Sequence, residues 1–390
     1  MSARVLQGAT IHAGDGQPPR IGDVVVVGGR MVAGPAPAGA EVRDCRGLHV
    51  SPGFVDAHVH LGLYPEGFPG EPKDLNEYTR PVTPELRATD GIWPGDVAFA
   101  KARAAGVTTV CVLPGSGNVV GGTGVVLKTA GQDVERMALR DPACLKVAFG
   151  HNVKHSHGIL HKRAPLTRMG IAALFRETFD AALAYEQKRV IDPACPEHRG
   201  HEVLVKALRR ELPVRAHAGR SDDILTACRL AREYGLRLVI EHGYEADQVI
   251  EQLVAAKAAV VLGPHWRNCG NSEEVHFDYA ATKRLLDAGL VVAHMTDHPI
   301  VPVGYLPMMA GLCVRAGLDA DTALQVVTAH PARILGVEDR VGRVAPGLDA
   351  DLVLLDGPPL AIASRVLETL IGGETVYRDG DPLPVPGQRH

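Results

Sequence analysis

Several kinds of segment are missing from the 390-residue sequence, and each absence excludes a class of protein. No apolar run approaches the roughly 18 residues of a membrane span, and Met1 to Asp15 lacks a cationic stretch followed by an apolar one. We therefore expect neither a membrane helix nor a secretory signal. The net charge of −4 comes without a basic tract, which argues against nucleic-acid and membrane partners.

The sequence also lacks any Cys-x-x-Cys pair. Its seven cysteines are scattered and odd in number, which argues against a disulfide framework and against a zinc ribbon. Free thiols in a reducing compartment are the simpler interpretation, so a cytoplasmic location is expected. The sequence does not determine the oligomeric state, and a homo-oligomer is one of the possibilities.

Alternating strand-like and helix-like stretches fill the middle of the chain, which predicts an α/β fold of the (β/α)8 TIM-barrel type. The eight expected strands are Gly53–Asp56, Val107–Val112, Val125–Lys128, Leu145–Phe149, Val214–Ala216, Leu236–Ile240, Ala259–Leu262 and Leu290–Ala293. Short strands between Gly and Pro turns precede and follow them. We expect residues 53–340 to form the barrel, and residues 1–52 and 341–390 to join in a small β-sandwich.

Histidines and one aspartate stand at the ends of these strands. His58 and His60 follow the first strand at a spacing that places both on one side. His217 and His242 end two later strands, and Asp297 follows the last one. Because the C-terminal ends of barrel strands meet at one mouth, the sequence predicts that these side chains form a metal site. Zn²⁺ is the commonest ion for such ligands, with Mn²⁺ or Co²⁺ as alternatives.

Two end segments carry a family resemblance. Ser51 to His60 resembles the opening of the amidohydrolase superfamily, and Arg343 to Val353 resembles its return into the terminal β-structure. Segments 113–122, 167–170 and 296–299 are similar to the imidazolonepropionase-related branch. At branch level the chain also resembles the amidohydrolase that removes the follower peptide in bottromycin-type pathways. The resemblance runs across nearly the whole chain.

This resemblance implies that His58, His60 and Asp297 bind one metal ion. His217 and His242 would bind a second ion, or His217 would join the first while His242 contacts substrate and stabilises the oxyanion. A metal-bound water, with a pKa of about 7, is the nucleophile. Asp297 is then placed to accept its proton and return it to the leaving group.

Lys146 is the remaining candidate ligand. In binuclear relatives a lysine in the fourth strand becomes a carbamate that bridges two metal ions, and Leu145 to Phe149 resembles that context. The alternative is an unmodified lysine whose amine reaches solvent at the barrel bottom. Lys128, on the third strand, competes for the carbamate role.

Substrate contacts are expected from loops at the same mouth. His151 and Lys154 lie in the histidine-rich stretch 150–163, which has no helical or strand periodicity and is predicted to be a loop over the pocket. A solvated surface loop is the alternative. Branch members commonly carry an acidic residue in place of His151. We therefore do not assign the substrate of those members to this protein. Asn118 and Arg220 are further candidates, although helix capping explains the sequence around Arg220 equally well.

Together these features predict a metal-dependent hydrolase of an amide-type C–N bond in a cyclic amide, a peptide or an amidine. One alternative is a deaminase of a ring substrate. Another is a peptide-tailoring amidohydrolase of a natural-product pathway. The alternative from a different class is a non-catalytic binding barrel, which would have lost at least one strand-end ligand.

Overall fold

The computed structural model describes residues 3–68, 73–265, 273–276 and 278–383. Its strands are, in chain order, β1 Ala3–Ile11, β2 Arg20–Val27, β3 Arg30–Val32, β4 Glu41–Asp44, β5 His49–Pro52, β6 Phe54–Val59, β7 Val107–Val112, β8 Val120–Lys128, β9 Ala138–Ala148, β10 Val214–Ala218, β11 Leu238–His242, β12 Ala259–Leu262, β13 Val292–His294, β14 Leu352–Leu355, β15 Val366–Ile371 and β16 Glu374–Arg378.

Helices connect most strands of the barrel. The α-helices are α1 Val97–Ala104, α2 Val134–Met137, α3 His151–Val153, α4 Arg168–Ile191, α5 Arg199–Leu208, α6 Ser221–Glu233, α7 Ile250–Ala255, α8 Ala281–Asp287, α9 Leu306–Arg315, α10 Ala320–Gln325 and α11 Ala329–Leu335. Short 3₁₀ turns are Ala88–Asp90, Ala246–Gln248 and Val303–Tyr305, and Lys154–Leu160 is a π-helix. No helix in the described part of the chain is long and apolar enough to cross a membrane.

Strands β6 to β13 form one eight-stranded sheet in sequence order. The sheet curls until its first and last strands are neighbours. Beyond β13, Asp297 N donates to His58 O at 3.0 Å, and His60 N donates to His298 O at 2.9 Å. The result is a nearly closed barrel of the TIM-like kind, and these two bonds lie at the mouth where the candidate ligands were expected.

Strand β8 departs from the parallel arrangement expected of a (β/α)8 barrel. It includes the predicted run Val125–Lys128 but begins at Val120 and runs antiparallel to both β7 and β9. Only residues 113–119 connect β7 to β8. A parallel crossover needs a dozen or more residues, so this short connection can only close a hairpin. The other seven predicted strands are confirmed. Their ends shift by at most three residues, except that β9 begins at Ala138 and not at Leu145.

Both termini contribute to the second sheet, whose order is β16-β15-β14-β5-β1-β2-β3 with β4 beside β1. Strands β5 and β14 join the N-terminal and C-terminal parts through antiparallel pairing of Leu352 with Pro52. Leu6, Val50 and Leu370 are among the buried side chains of its core. The terminal strands thus meet as expected but form one hydrogen-bonded sheet, so a two-layer sandwich is not confirmed. The division at residues 52 and 340 stays a prediction.

Alternation along the barrel strands places the polar side chains inside. In β10, Val214, Ala216 and Ala218 pack outward in the cluster that includes Phe175 and Phe179 of α4. Arg215 and His217 therefore face the barrel interior.

The stretch 150–163 is not the predicted loop. It forms α3 and the π-helix Lys154–Leu160. Val153, Ser156 and His157 are buried in it, while His155 and Leu160 are exposed. Because polar histidine and serine take inward positions normally held by apolar residues, the helix has no hydrophobic periodicity to detect.

Candidate active site

Strand ends of the barrel bring the expected ligands together. Asp297 Oδ1 lies 3.1 Å from His60 Nε2 and 3.5 Å from His58 Nε2. One ligand atom from each of His58, His242 and Asp297 lies within 4.8 Å of the other two. The ring of His217 approaches that of His242, with centroids 4.1 Å apart. All five side chains are buried.

The orientation of three of these rings suits metal binding. Each uses Nδ1 to donate a hydrogen bond, so each presents Nε2 as an acceptor. The acceptors are Glu241 Oε2 for His58 at 2.7 Å, Leu113 O for His60 at 2.8 Å and Gly263 O for His242 at 3.0 Å. His242 Nε2 is buried and has no hydrogen-bond partner among the described residues. An unprotonated imidazole nitrogen next to a carboxylate oxygen is a set of metal ligands that fits Zn²⁺.

Two of the site residues have a left-handed backbone. His242 has φ of 72° and Asp297 has φ of 53°. Non-glycine residues rarely adopt this conformation, and where they do it often serves a functional site. At the end of β11, the left-handed conformation of His242 lets the adjacent side chains of Glu241 and His242 both reach the other ligands.

A buried ion pair holds His58. Arg215 Nη2 donates to Glu241 Oε2 at 2.9 Å and to Ala57 O at 2.8 Å, and Arg215 Nε donates to the other oxygen of Glu241. Neither Arg215 nor Glu241 is exposed to solvent. Neither residue was among the predicted ligands, although both lie beside predicted ligands on β10 and β11.

Asp56 ties the first strand to the loop that carries Asp297. Its Oδ2 accepts from Thr296 Oγ1 at 2.5 Å, and its oxygens also accept from the backbone N–H groups of His58 and Thr296 at 3.2 Å. Burial raises the pKa of Asp56 to about 7, because removal from water disfavours the charged form. This residue too was missed.

Lys146 points into the site. Its Nζ lies 3.4 Å from His58 Nε2, and its side chain is fully buried, so the alternative of an amine in solvent at the barrel bottom is wrong. Burial lowers the pKa of Lys146 to about 8. Lys128 is occupied elsewhere, with its Nζ 2.6 Å from Asp349 Oδ2 and 3.0 Å from Asp351 Oδ1.

The carboxylate of Asp297 is held in its ionised form. Burial acts to raise its pKa, but the close approach of His60 and the nearby His242 and Lys146 outweigh burial and lower it to about 2. Burial also lowers the pKa of His58 and of His242 well below the usual value. His58 and His242 therefore present neutral imidazoles to a negative carboxylate, which is the protonation state that a divalent cation needs.

A cavity of about 310 Å³ opens above these groups. His60, His217, His242 and Asp297 line it on the barrel side. The segment α3 plus the π-helix lines another wall, through Asn152, His155, Ser156 and Leu160. The remaining described lining residues are Tyr64, Leu75, Asn76, Tyr78, Ser116, Gly117, Tyr244, Glu273, Glu274 and Ile300.

None of the four predicted substrate residues is among the described lining residues of this cavity. Asn118 is buried and donates to Glu77 O at 2.9 Å and to Thr83 Oγ1 at 3.1 Å. Arg220 pairs with Asp222, whose two oxygens lie 2.8 and 2.5 Å from its guanidinium.

The other two predicted substrate residues belong to the helical wall. The ring of His151 stacks on His155 with centroids 5.6 Å apart, and its backbone N–H donates to Glu273. His151 and Lys154 alternate with Asn152 and His155, which do line the cavity. The predicted segment does line the cavity, but the sequence could not give the rotation of a helix that had been predicted as a loop.

Comparison with known proteins assigns the family. The model of the Amidohydrolase family matches residues 49–376. The chain is 30% identical over 405 residues to the amidohydrolase tasK of Hapsidospora irregularis, covering 95% of this chain but 41% of that protein, so it spans less than half of that relative. It is also 30% identical over 347 residues to an imidazolonepropionase of Anaeromyxobacter dehalogenans, covering 81% of this chain and 77% of that one.

Among solved structures, an amidohydrolase from Thermotoga maritima MSB8 superimposes with a TM-score of 0.93 at 39% identity, covering 96% of this chain and 100% of that one. The match therefore includes both sheets as well as the strand ends that carry the candidate ligands. The chain belongs to the Amidohydrolase family, whose members are metal-dependent enzymes that act on C–N bonds.

Proposed function

We propose that this protein hydrolyses an amide-type C–N bond in a cyclic amide, a peptide or an amidine. His58, His60, His217, His242 and Asp297 would hold one or two divalent ions, Zn²⁺ foremost. The observation that carries the proposal is the buried group of His58, His242 and Asp297, whose ligand atoms lie within 4.8 Å of one another. The volume of about 310 Å³ suits a small molecule or the end of a peptide.

When bound, a divalent ion supplies an acidified water and polarises the attacked carbonyl or imine. Asp297, ionised and in contact with His60 Nε2, is placed to accept a proton at Oδ1 and to deliver it to the leaving nitrogen. The hydrogen bond of Glu241 to His58, and that of Asp56 to Thr296 beside Asp297, hold these two site residues in position for this transfer.

The environment of His242 favours one of its two expected roles. An oxyanion contact requires a proton on Nε2, but Nδ1 already donates to Gly263 O, so a donor at Nε2 would need the charged imidazolium. Burial lowers the pKa of His242 well below its usual value and disfavours that form. We therefore assign His242 to metal binding.

Lys146 is proposed to carry the carbamate. A neutral amine is the form that adds to carbon dioxide, and burial already lowers the pKa of this lysine to about 8. Its Nζ lies 3.4 Å from His58 Nε2, beside the other ligands. A cytoplasmic location, a homo-oligomer and the lack of nucleic-acid and membrane partners stay predictions from the sequence.

A substrate panel tests the proposal. Zinc-loaded protein is incubated with N-acyl amino acids, dipeptides, five- and six-membered cyclic amides, N-alkyl amidines and amino-substituted heterocycles, with Asp297→Asn as the control for contaminating hydrolases. Mass spectrometry should show addition of water across a C–N bond for at least one amide or amidine. Release of ammonia from the heterocycles, with no amide or amidine cleaved, would favour a deaminase instead.

A further inference from the structure

His217 differs from the other clustered histidines in which ring nitrogen the protein holds. His58, His60 and His242 each donate through Nδ1. In His217 it is Nε2 that meets a carboxylate, Glu273 Oε2, at 3.3 Å. Nδ1 of His217 is buried and has no hydrogen-bond partner among the described residues. With the proton on Nε2, the lone pair of this ring lies on Nδ1.

Two groups lie near Nε2 and favour opposite tautomers. The amide nitrogen of Asn152, 3.5 Å from Nε2, can only donate and would require an unprotonated Nε2. The carboxylate of Glu273 is closer and charged, so it is the stronger partner for a ring N–H. Glu273 lies 56 residues from His217 in sequence and was not among the predicted site residues.

Glu273 is itself held from several sides. Its side chain is 3% exposed, and it accepts from the backbone N–H of His151. Arg168 Nη2 lies 3.7 Å from Glu273 Oε1 and also binds Asp223, whose two oxygens accept from the guanidinium at 2.8 Å. Buried carboxylates are costly unless paired, so a single arginine balances both.

Gly150 allows the chain to pass close to this pair. Its φ is +80°, and a Cβ at this position would overlap Glu273 Oε1 and lie 2.7 Å from Asp223 Oδ2. Segments from four parts of the chain therefore converge on Glu273: the start of α3, the start of α4, the first turn of α6 and the end of β10.

We propose that Glu273 is a positioning residue for His217. It accepts the proton of Nε2, fixes the ring and its tautomer, and leaves Nδ1 to face the metal ion, while Arg168 acts through Glu273. Carboxylate partners of this kind orient ligand histidines in metal sites. The inference rests on the proposed function, because it requires His217 to bind the ion.

Zinc affinity tests the proposal without a substrate. The full-length protein and its Glu273→Gln variant compete with a chromogenic chelator for Zn²⁺. Loss of the carboxylate should weaken zinc binding by about 10- to 100-fold, as for other partners of ligand histidines. Glu245→Gln is the matched control, because Glu245 is also buried beside the site but accepts from Ser221 N and Oγ at 2.7 and 2.8 Å. This control should bind zinc like the wild type.

Arg168 provides a second test. If it acts through Glu273, Arg168→Lys should weaken zinc binding, and the double variant should bind no more weakly than Glu273→Gln alone. Thermal unfolding of the metal-free proteins checks that each variant is folded. A ring ¹⁵N spectrum of the zinc-loaded wild type, with His217 assigned by its Gln variant, should show His217 bound through Nδ1.

The outcomes separate the two claims. Equal zinc affinity of wild type and Glu273→Gln, or binding of His217 through Nε2, would overturn the role of Glu273 and leave the proposed function intact. A wild type that fails to bind zinc, manganese or cobalt would overturn both.

Discussion

At the scale of single residues, the site places the neutral imidazoles of His58 and His242 beside the ionised carboxylate of Asp297. Asp297 is central because its Oδ1 contacts His60 and it also lines the cavity. Its left-handed backbone makes asparagine a good test substitution, since asparagine tolerates this conformation better than most residues.

Asp297→Asn should lower kcat by about 10²- to 10⁴-fold, because an amide cannot accept and return the proton. The protein should remain folded and KM should change little. Steady-state kinetics on the substrate identified by the panel, with circular dichroism as the folding check, measure this. Turnover close to that of the wild type would show that another group moves the proton.

Lys146 gives the second prediction at this scale. If it carries a bridging carbamate, the wild type should bind two metal ions and Lys146→Ala should bind one, because the bridging oxygens are gone. Added bicarbonate should speed metal loading of the wild type only, and a short carboxylic acid should partly restore activity to the variant. Metal analysis by mass spectrometry gives the stoichiometry. One ion in the wild type, with loading indifferent to bicarbonate, would exclude the carbamate.

At the scale of elements, the π-helix Lys154–Leu160 forms one wall of the cavity. His155 lines the cavity, whereas Ile159 on the same helix is 50% exposed and is absent from the described lining. His155→Ala should lower kcat/KM by about tenfold through the loss of one polar contact of about 1.4 kcal/mol. Ile159→Ala is the control and should leave kcat/KM unchanged.

Bound metal should stay constant in both variants, which separates a substrate contact from damage to the metal site. If His151→Ala or Lys154→Ala lowered kcat/KM instead and His155→Ala did not, the original expectation for those two residues would be correct and the observed helix rotation would not describe the substrate complex.

Some elements of the fold and the site could be predicted from the sequence, and others could not. The strand ends could be predicted because His217 and His242 end strand-like segments whose direction follows from the βα alternation. The hairpin at β8 was accessible in principle, since residues 113–119 are too few for a crossover. The role of Glu241 could not be predicted from the sequence, because adjacent residues of a strand point to opposite faces. Only the left-handed backbone at His242 brings both side chains into the site.

At the scale of the whole molecule, a buried ionic cluster joins the barrel to the terminal sheet. Lys128 at the end of β8 contacts Asp349 at 2.6 Å and Asp351, just before β14, at 3.0 Å. Arg340 also binds Asp349, at 2.7 Å. Asp351 is nearly inaccessible to solvent, and burial raises its pKa. The lysine is therefore needed to balance its charge.

Lys128→Met should lower the free energy of unfolding by about 3 kcal/mol, because it leaves a buried carboxylate without its cation. Arg30→Met is the matched control: Arg30 lies 3.8 Å from the same Asp349 but is 55% exposed, so its loss should cost less than about 1 kcal/mol. Chemical denaturation of the metal-free proteins measures both. Equal losses would show that the cluster does not stabilise the junction.

The central claim is that a metal ion bound by the strand-end ligands makes this protein a hydrolase. The most direct test is turnover of the substrate found by the panel, measured together with metal content before and after prolonged chelation. Activity should disappear as the metal is removed and return when zinc, manganese or cobalt is added back. Full activity in a sample shown to contain no metal would contradict the account.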